Sequence, residues 1–410
     1  MKKIIIVGGG AAGMMAAIFA ARQGVKVTVF EKNQKLGRKL LITGKGRCNI
    51  TNNCDRETLI SNVPQNPRFL YGAFSRFSPQ DVMDFFEDLG VKLKTERGAR
   101  VFPVSDQAQE VVFALCDEMK RLGVVIQNSS VDEICCKDGR VCGVISKGVE
   151  YSADAVLLAT GGLSYPGTGS TGDGYKMAAQ LGHTIVPPRA SLVPITAESK
   201  LCSSMQGLSL KNVVLSVYNR KQKCVFEEMG EMLFTHFGVS GPLVLSASAH
   251  MRDIKNDKYI LKIDLKPALD REKLNARVLR DFDERKNQDI SNALRGLLPA
   301  KLVLPVLLKA GISADVKVHS IDKTSRARLI DVLKGFEICV DSFRPISEAI
   351  ITSGGIKVSE IDPKTMMSRL INSLYFAGEI IDTDAYTGGF NLQIAWSTAY
   401  VAACEMSKED

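Results

Sequence analysis

Runs of apolar side chains fall into distinct periodicities along the 410 residues. Residues 4–7 are a β-branched run that predicts a buried strand, and it leads into Gly8-x-Gly10-x-x-Gly13 and a small-residue apolar stretch, 14–22, that predicts a helix. A second β-branched run, 25–30, ends in Glu31. Val82, Phe85, Phe86 and Leu89 then make one helical stripe over 79–89, and Val111, Val112, Leu115 and Met119 another over 106–122. Residues 124–126, 131–135 and 141–145 read as short strands with Asp138-Gly139 as a hairpin turn. A buried strand at 155–158 runs into Ala159-Thr160-Gly161-Gly162.

From about Ser191 the pattern changes. Alternation with period two at 213–218 and 259–264 predicts strands, and 241–250 reads as a short helix opened by Ser240 and Pro242. Between 269 and 335 the period becomes helical: Leu274, Val278 and Phe282 recur four apart among charges, and Leu329, Ile330 and Leu333 form a further stripe. The chain then returns to apolar segments with glycine, Ser353-Gly354-Gly355 and 374–384, and closes on a helix after Gly388-Gly389. These shifts predict an α/β protein with one domain over 1–190 and 345–410. An inserted region rich in strands (191–268 and 336–344) would carry a helical part (269–335).

The first thirty-one residues have a chemical reading. Gly8 permits a tight turn, Gly10 lets the backbone approach a pyrophosphate, and Gly13 lets the helix pack closely on the strand. Helix-start amides around Ala11 and Ala12 would face the phosphates. Glu31, followed by Lys32, stands where an acid binds the hydroxyls of an unphosphorylated ribose. The rival reading is a signal peptide, which Lys2-Lys3 and Ala20-Ala21 imitate; four glycines interrupt its apolar stretch.

Composition narrows the classes. The net charge of +8, on 53 basic and 45 acidic residues, looks spread along the chain, so a small-molecule substrate is expected and no nucleic acid. No apolar run is long enough for a bilayer, and no membrane partner is expected. Ten cysteines without paired CxxC spacing and four histidines point to reduced thiols in a cytoplasmic protein with no metal site.

After Glu31 comes a glycine-rich basic stretch, 35–53, in which Arg38, Lys39, Lys45 and Arg47 would offset diphosphate charge. Together with Arg100-Val-Phe-Pro-Val-Ser105, Ala159-Thr-Gly-Gly162 and Leu233-Phe-Thr-His-Phe-Gly-Val-Ser-Gly-Pro242, this stretch resembles the BaiN/YhiN-type family of bacterial FAD-dependent oxidoreductases, over the whole chain. The resemblance implies FAD, held in a Rossmann-like domain of the two-dinucleotide-fold flavoprotein type, with the insert forming a small β-barrel and a helical subdomain. The polar groups of Thr43, Asn49 and Asn52 could meet the polar edge of that flavin, and Cys48 could touch it. The resemblance implies that Val131 meets the adenine through its backbone, and that Thr160, Gly161 and Gly162 form a second FAD segment. Gly378 and Glu379 would meet the ribityl chain, and Asn391, Leu392, Gln393 and Ile394 would direct helix-start amides at the flavin carbonyl. A small-residue helix that merely packs on the first strand is the lesser alternative for the last segment. Gly167-x-Gly169-x-x-Gly172 repeats the glycine spacing without a preceding strand, so it is expected to be a loop feeding a helix with Asp173 at its start.

Arg100, Tyr165, His236 and Tyr386 are the candidates for proton delivery or substrate orientation, although a structural role for Arg100 and a core role for His236 stay open. The leading expectation is hydride transfer to an activated carbon–carbon double bond, similar to a 3-dehydro-bile-acid Δ4,6-reductase, with NADH or NADPH visiting the flavin transiently. The alternatives are an amine oxidase similar to aminoacetone oxidase, which forms peroxide, and a non-enzymatic flavin-binding redox sensor.

Overall fold

The computed structural model describes residues 1–408 apart from 252, 253, 255 and 256. The chain divides into two compact units, Met1–Ser191 with Ile346–Asp410, and Leu192–Pro345.

The first unit is built on a five-stranded parallel sheet. Its strands, in spatial order, are Leu374–Phe376, Ala155–Leu158, Lys3–Val7, Lys26–Phe30 and Val125–Gln127. Lys3–Val7 is central, with Ile4 opposite Ala155 on one side and Val27 on the other. Its β-branched side chains are covered on both faces, which is why its residues are apolar without alternation. The helices Ala11–Arg22 and Phe390–Met406 are apolar nearly all round and bury most of their residues. Aromatic rings lock the last helix in place: Tyr400 stacks on Phe77 at 4.6 Å and Trp396 meets Phe86 edge-on at 5.5 Å. The indole N–H of Trp396 donates to the carbonyl of Ile50 at 2.9 Å.

Observed elements differ from the sequence expectations mainly at their ends. The first helix begins at Ala11 rather than 14, because Gly10 already accepts from the Met14 amide at 2.9 Å. The stretch 35–53 contains a short helix, Arg38–Ile42, and a two-residue strand, Thr51–Asn52, that pairs with Arg100–Pro103. The second glycine repeat is a loop, with Gly169 and Gly172 at φ 110° and 82°, feeding the helix Asp173–Gln180.

The second unit is a closed six-stranded barrel carrying helices. Around it run Ile195–Ala197, Gly238–Ser240, Cys224–Phe234, Ser209–Tyr218, Ile260–Asp264 and Phe336–Phe343, which returns to pair with the first. The helices Arg271–Glu284, Ala300–Ala310 and Lys323–Lys334 share one apolar core with it. Asp270 and Asp322 cap two of them by accepting from the amides of Lys273 and Ser325. Charge is divided unevenly: Leu192–Pro345 holds 25 Lys and Arg against 18 Asp and Glu, seven of the eight net positive charges. Among the described residues no helix is long and apolar enough to cross a membrane. All ten cysteines are free thiols.

Glu118 ties two helices of the first unit together. Only 6% exposed, it accepts from Arg121 at 2.7 Å and from Arg22 at 2.7 Å. Hydrogen bonds from Arg121 and then Arg22 outweigh its burial and hold the carboxyl at about 2. Because this value is depressed, the stabilisation is full above the unfolded carboxylate range and is lost as pH falls towards 2. Glu118→Gln should therefore lower stability at neutral pH by about 1–3 kcal/mol and shrink that difference on acidification, read from denaturant unfolding at several pH values.

Candidate active site

Four parallel strands deliver their carboxyl ends to one cleft. Val7 leads to Gly8, Phe30 to Glu31, Leu158 to Ala159-Thr160-Gly161, and Phe376 to Ala377-Gly378, and all of these residues after the strands line it. A cleft at the carboxyl edge of a parallel sheet is where such folds take nucleotides. It holds about 1290 Å³ of empty space, open to solvent at its mouth.

The glycine turn shapes one wall. Gly8 has φ 109°, and a Cβ there would come within 2.5 Å of the Ala159 carbonyl oxygen. A Cβ on Gly13 would sit 1.8 Å from the Gly8 carbonyl oxygen, so helix and strand touch backbone to backbone. At Gly10 a Cβ would meet nothing within 4 Å, because the residue faces the open cleft. Two helix N-termini meet here. Gly10 caps Ala11–Arg22 and Gly389 caps Phe390–Met406; neither has a side-chain cap or an acid in its first turn. Ala11, Ala12, Asn391 and Leu392 line the cleft, so uncapped first-turn amides are available to an anion.

Charged side chains are fixed around this wall. Glu31 accepts the amides of Gly9 and Asn33, each at 2.8 Å, which holds its carboxylate at the cleft. Lys39 donates to Glu379 and Ser164, both at 2.5 Å, while Glu379 also accepts the Thr352 amide at 2.9 Å. Lys32 pairs with Asp173 at 2.5 Å, and Arg38 donates to Asn33 at 2.8 Å. Thr43, Val131, Gly161 and Gly378 complete the expected residues that line the cleft. Thr160 lines the cleft too, but its hydroxyl is buried against Gly174 and has no partner among the described residues. An open approach at Gly10 and two uncapped helix starts fit the diphosphate and polar ring edge of FAD.

Other expected residues lie off the cleft. Arg47 stacks at 4.1 Å over Phe102 and pairs with Glu96 and Asp106. Cys48 is fully buried, which pushes its thiol up to about 12. Asn49 keeps an unpartnered buried oxygen, and Asn52 spends its amide on the carbonyls of Gly98 and Gly388. Gly162 packs against Thr352 and Glu379. Gln393 bonds Phe77, Ser397 and Thr51 inside the core, where Ile394 also lies. Gln393 already donates its amide to Gly389, so the free amides of that helix belong to 390–392 rather than to 393 and 394.

None of the four candidate catalytic residues lines this cleft. Arg100 is exposed and donates to the Arg97 carbonyl at 3.0 Å. Tyr165 opens the second glycine loop at φ 53°, and Tyr386 donates its amide to Asn62. His236 belongs to the barrel unit, where it is exposed and meets Phe237 edge-on at 5.0 Å; a core role for it does not hold. Asn33, Ser129, Ser130, Ile350 and Ile351 line the cleft without a motif to announce them. Among the described residues no cluster of His, Cys, Asp or Glu is fit to hold a metal.

A family model, the HI0933-like protein Rossmann domain, matches residues 2–405. The chain is 33% identical over 402 residues to the ribosomal RNA dihydrouridine synthase of Escherichia coli (strain K12), covering 98% of this chain and 97% of that protein. It is 32% identical over 415 residues to the ribosomal RNA dihydrouridine synthase of Haemophilus influenzae, with 99% and 98% covered. To the 3-dehydro-bile acid delta(4,6)-reductase of Clostridium scindens it is 29% identical over 406 residues, 98% of each chain.

Gly10 offers a direct check on the cleft. Its backbone is at φ −84°, and free space surrounds it, so Gly10→Val should fold. The side chain would occupy the pyrophosphate approach. Purified Gly10→Val should show wild-type circular dichroism and little or no bound FAD by visible absorbance; a fully loaded yellow variant would refute the placement.

Proposed function

The chain belongs to the HI0933-like Rossmann family, and from that premise we propose that it is an FAD-dependent oxidoreductase that saturates a double bond conjugated to a carbonyl, in a uridine of ribosomal RNA. Two relatives matched end to end carry the name of that reaction. The uracil 5,6 double bond is conjugated to the 4-carbonyl, much as the Δ4,6 double bonds in the third relative's name are conjugated to a 3-oxo group. All three names thus describe hydrogen added across an electron-poor double bond. When bound, the flavin supplies the hydride for that addition.

The residues of the cleft bind and orient. Uncapped amides at Gly10, Ala11 and Ala12 would hold the diphosphate, and Glu31 the adenosine ribose. Glu379, braced by Lys39 and Ser164, would meet the ribityl hydroxyls. The amides of 390–392 would stabilise negative charge on the ring. With one dinucleotide turn in the chain, NADH or NADPH would visit transiently.

The observation that carries RNA over a free small molecule is the charge of the inserted unit, which holds seven of the eight net positive charges. This reading departs from the expectation of no nucleic acid, which rested on an even spread. A second reading, reduction of a 3-oxo-Δ4,6 bile acid, is favoured by the 29% relative. The amine-oxidase and redox-sensor readings have no counterpart among those three proteins.

The test is nucleoside mass spectrometry of ribosomal RNA from cells with and without the gene. Deletion should remove dihydrouridine, and the purified protein with FAD and NADH or NADPH should restore it. Unchanged dihydrouridine would contradict the reading, and turnover of a 3-oxo-Δ4,6 bile acid in its place would establish the second.

A further inference from the structure

We propose that the tip of the barrel hairpin, with Arg220, Lys221 and Lys223 beside Lys258, is a docking surface for RNA phosphates. The proposal rests on the ribosomal RNA reading and names the surface by which this chain would hold that substrate.

The hairpin joins Ser209–Tyr218 to Cys224–Phe234, and its turn is built rather than loose. The Asn219 side-chain oxygen accepts the amides of Lys221 and Lys223, each at 3.0 Å. The Asn219 amide donates to the Lys223 carbonyl at 3.1 Å, and the Gln222 amide to the Asn219 carbonyl at 2.9 Å. These bonds fix the turn through backbone groups and leave all three cationic side chains uncommitted.

A second connection is tied to the first. One carboxylate oxygen of Asp257 accepts both the Arg220 amide at 3.0 Å and the Lys258 amide at 2.9 Å, which brings Lys258 beside the tip. Arg220, Lys221, Lys223 and Lys258 are exposed, and among the described residues none makes an ion pair. The nearest acids on the hairpin lie down the strand. Glu227 accepts from Ser216 at 2.7 Å, and Glu228 stands opposite Leu215.

Many other cations of this unit are neutralised locally. Arg271 pairs with Asp331, Arg277 with Asp281, Lys309 with Glu198, Lys317 with Asp289 and Lys334 with Asp264. Among the described residues of the tip, four positive charges stand beside one carboxylate, that of Asp257, already shared by two amides. Such a cluster attracts polyanions and is favoured by the release of their counterions. Lysine and arginine heads on a fixed turn suit phosphates, which position a strand without reading its bases.

The experiment compares the full-length, FAD-loaded protein with a variant carrying Arg220→Gln, Lys221→Gln, Lys223→Gln and Lys258→Gln. The probe is deproteinised ribosomal RNA from cells lacking the gene, and affinity is measured against KCl concentration. The variant should bind at least about tenfold more weakly at low salt, with a log–log salt slope shallower by roughly 0.7 for each phosphate it no longer neutralises. Its FAD content, melting temperature and rate of flavin reduction by NADH or NADPH should match wild type. Equal affinity and slope would overturn the proposal, as would binding by anionic vesicles but not RNA. Dihydrouridine formed in cells by wild type, alongside unaltered RNA binding by the variant, would overturn this surface alone; no dihydrouridine would overturn the parent reading.

Discussion

The helix Ala11–Arg22 approaches the strand before it so closely that backbone rests on backbone. A Cβ at Gly13 would lie 1.8 Å from the Gly8 carbonyl oxygen, and one at Gly8 would lie 2.5 Å from that of Ala159. This close approach brings the uncapped start of the helix to the carboxyl edge of the sheet. The neighbouring strands then place Glu31, Thr160 and Gly378 around the same space. The last helix packs on the first and adds a second uncapped start at Gly389. A larger side chain at Gly8 or Gly13 would separate the elements that make the cleft.

Local spacing made much of this legible. The glycine turn, the acid at 31 and the small residues at 160 and 161 each follow a strand, so their side of the sheet is set by strand direction. The residues that went astray lie where direction is set by packing. Along 390–394 polar and apolar residues alternate without a helical stripe, so nothing in the spacing tells that Asn391 and Leu392 face the cleft while Gln393 and Ile394 face the core. Arg47 reads as a phosphate cation until Glu96 and Asp106, distant in sequence, are seen to claim it. Ser129, Ser130, Ile350 and Ile351 reach the cleft from segments with no pattern of their own.

Charge shows the same dependence on organisation. Along the chain, +8 is a mild excess; divided by unit, the first is almost neutral and the barrel with its helices is basic. One unit supplies backbone amides and a few fixed ion pairs suited to a dinucleotide, and the other supplies exposed cations suited to a larger anion.

The cleft between Gly10 and Asn391 is built to hold a redox-active flavin. Anaerobic titration of the purified protein with NADH or NADPH, followed by visible absorbance, tests it most directly. The expected result is a flavin spectrum, close to one FAD per chain, that bleaches with the nicotinamide and recovers on adding the oxidised substrate. A protein that takes up no FAD, even when it is supplied in excess, would contradict it.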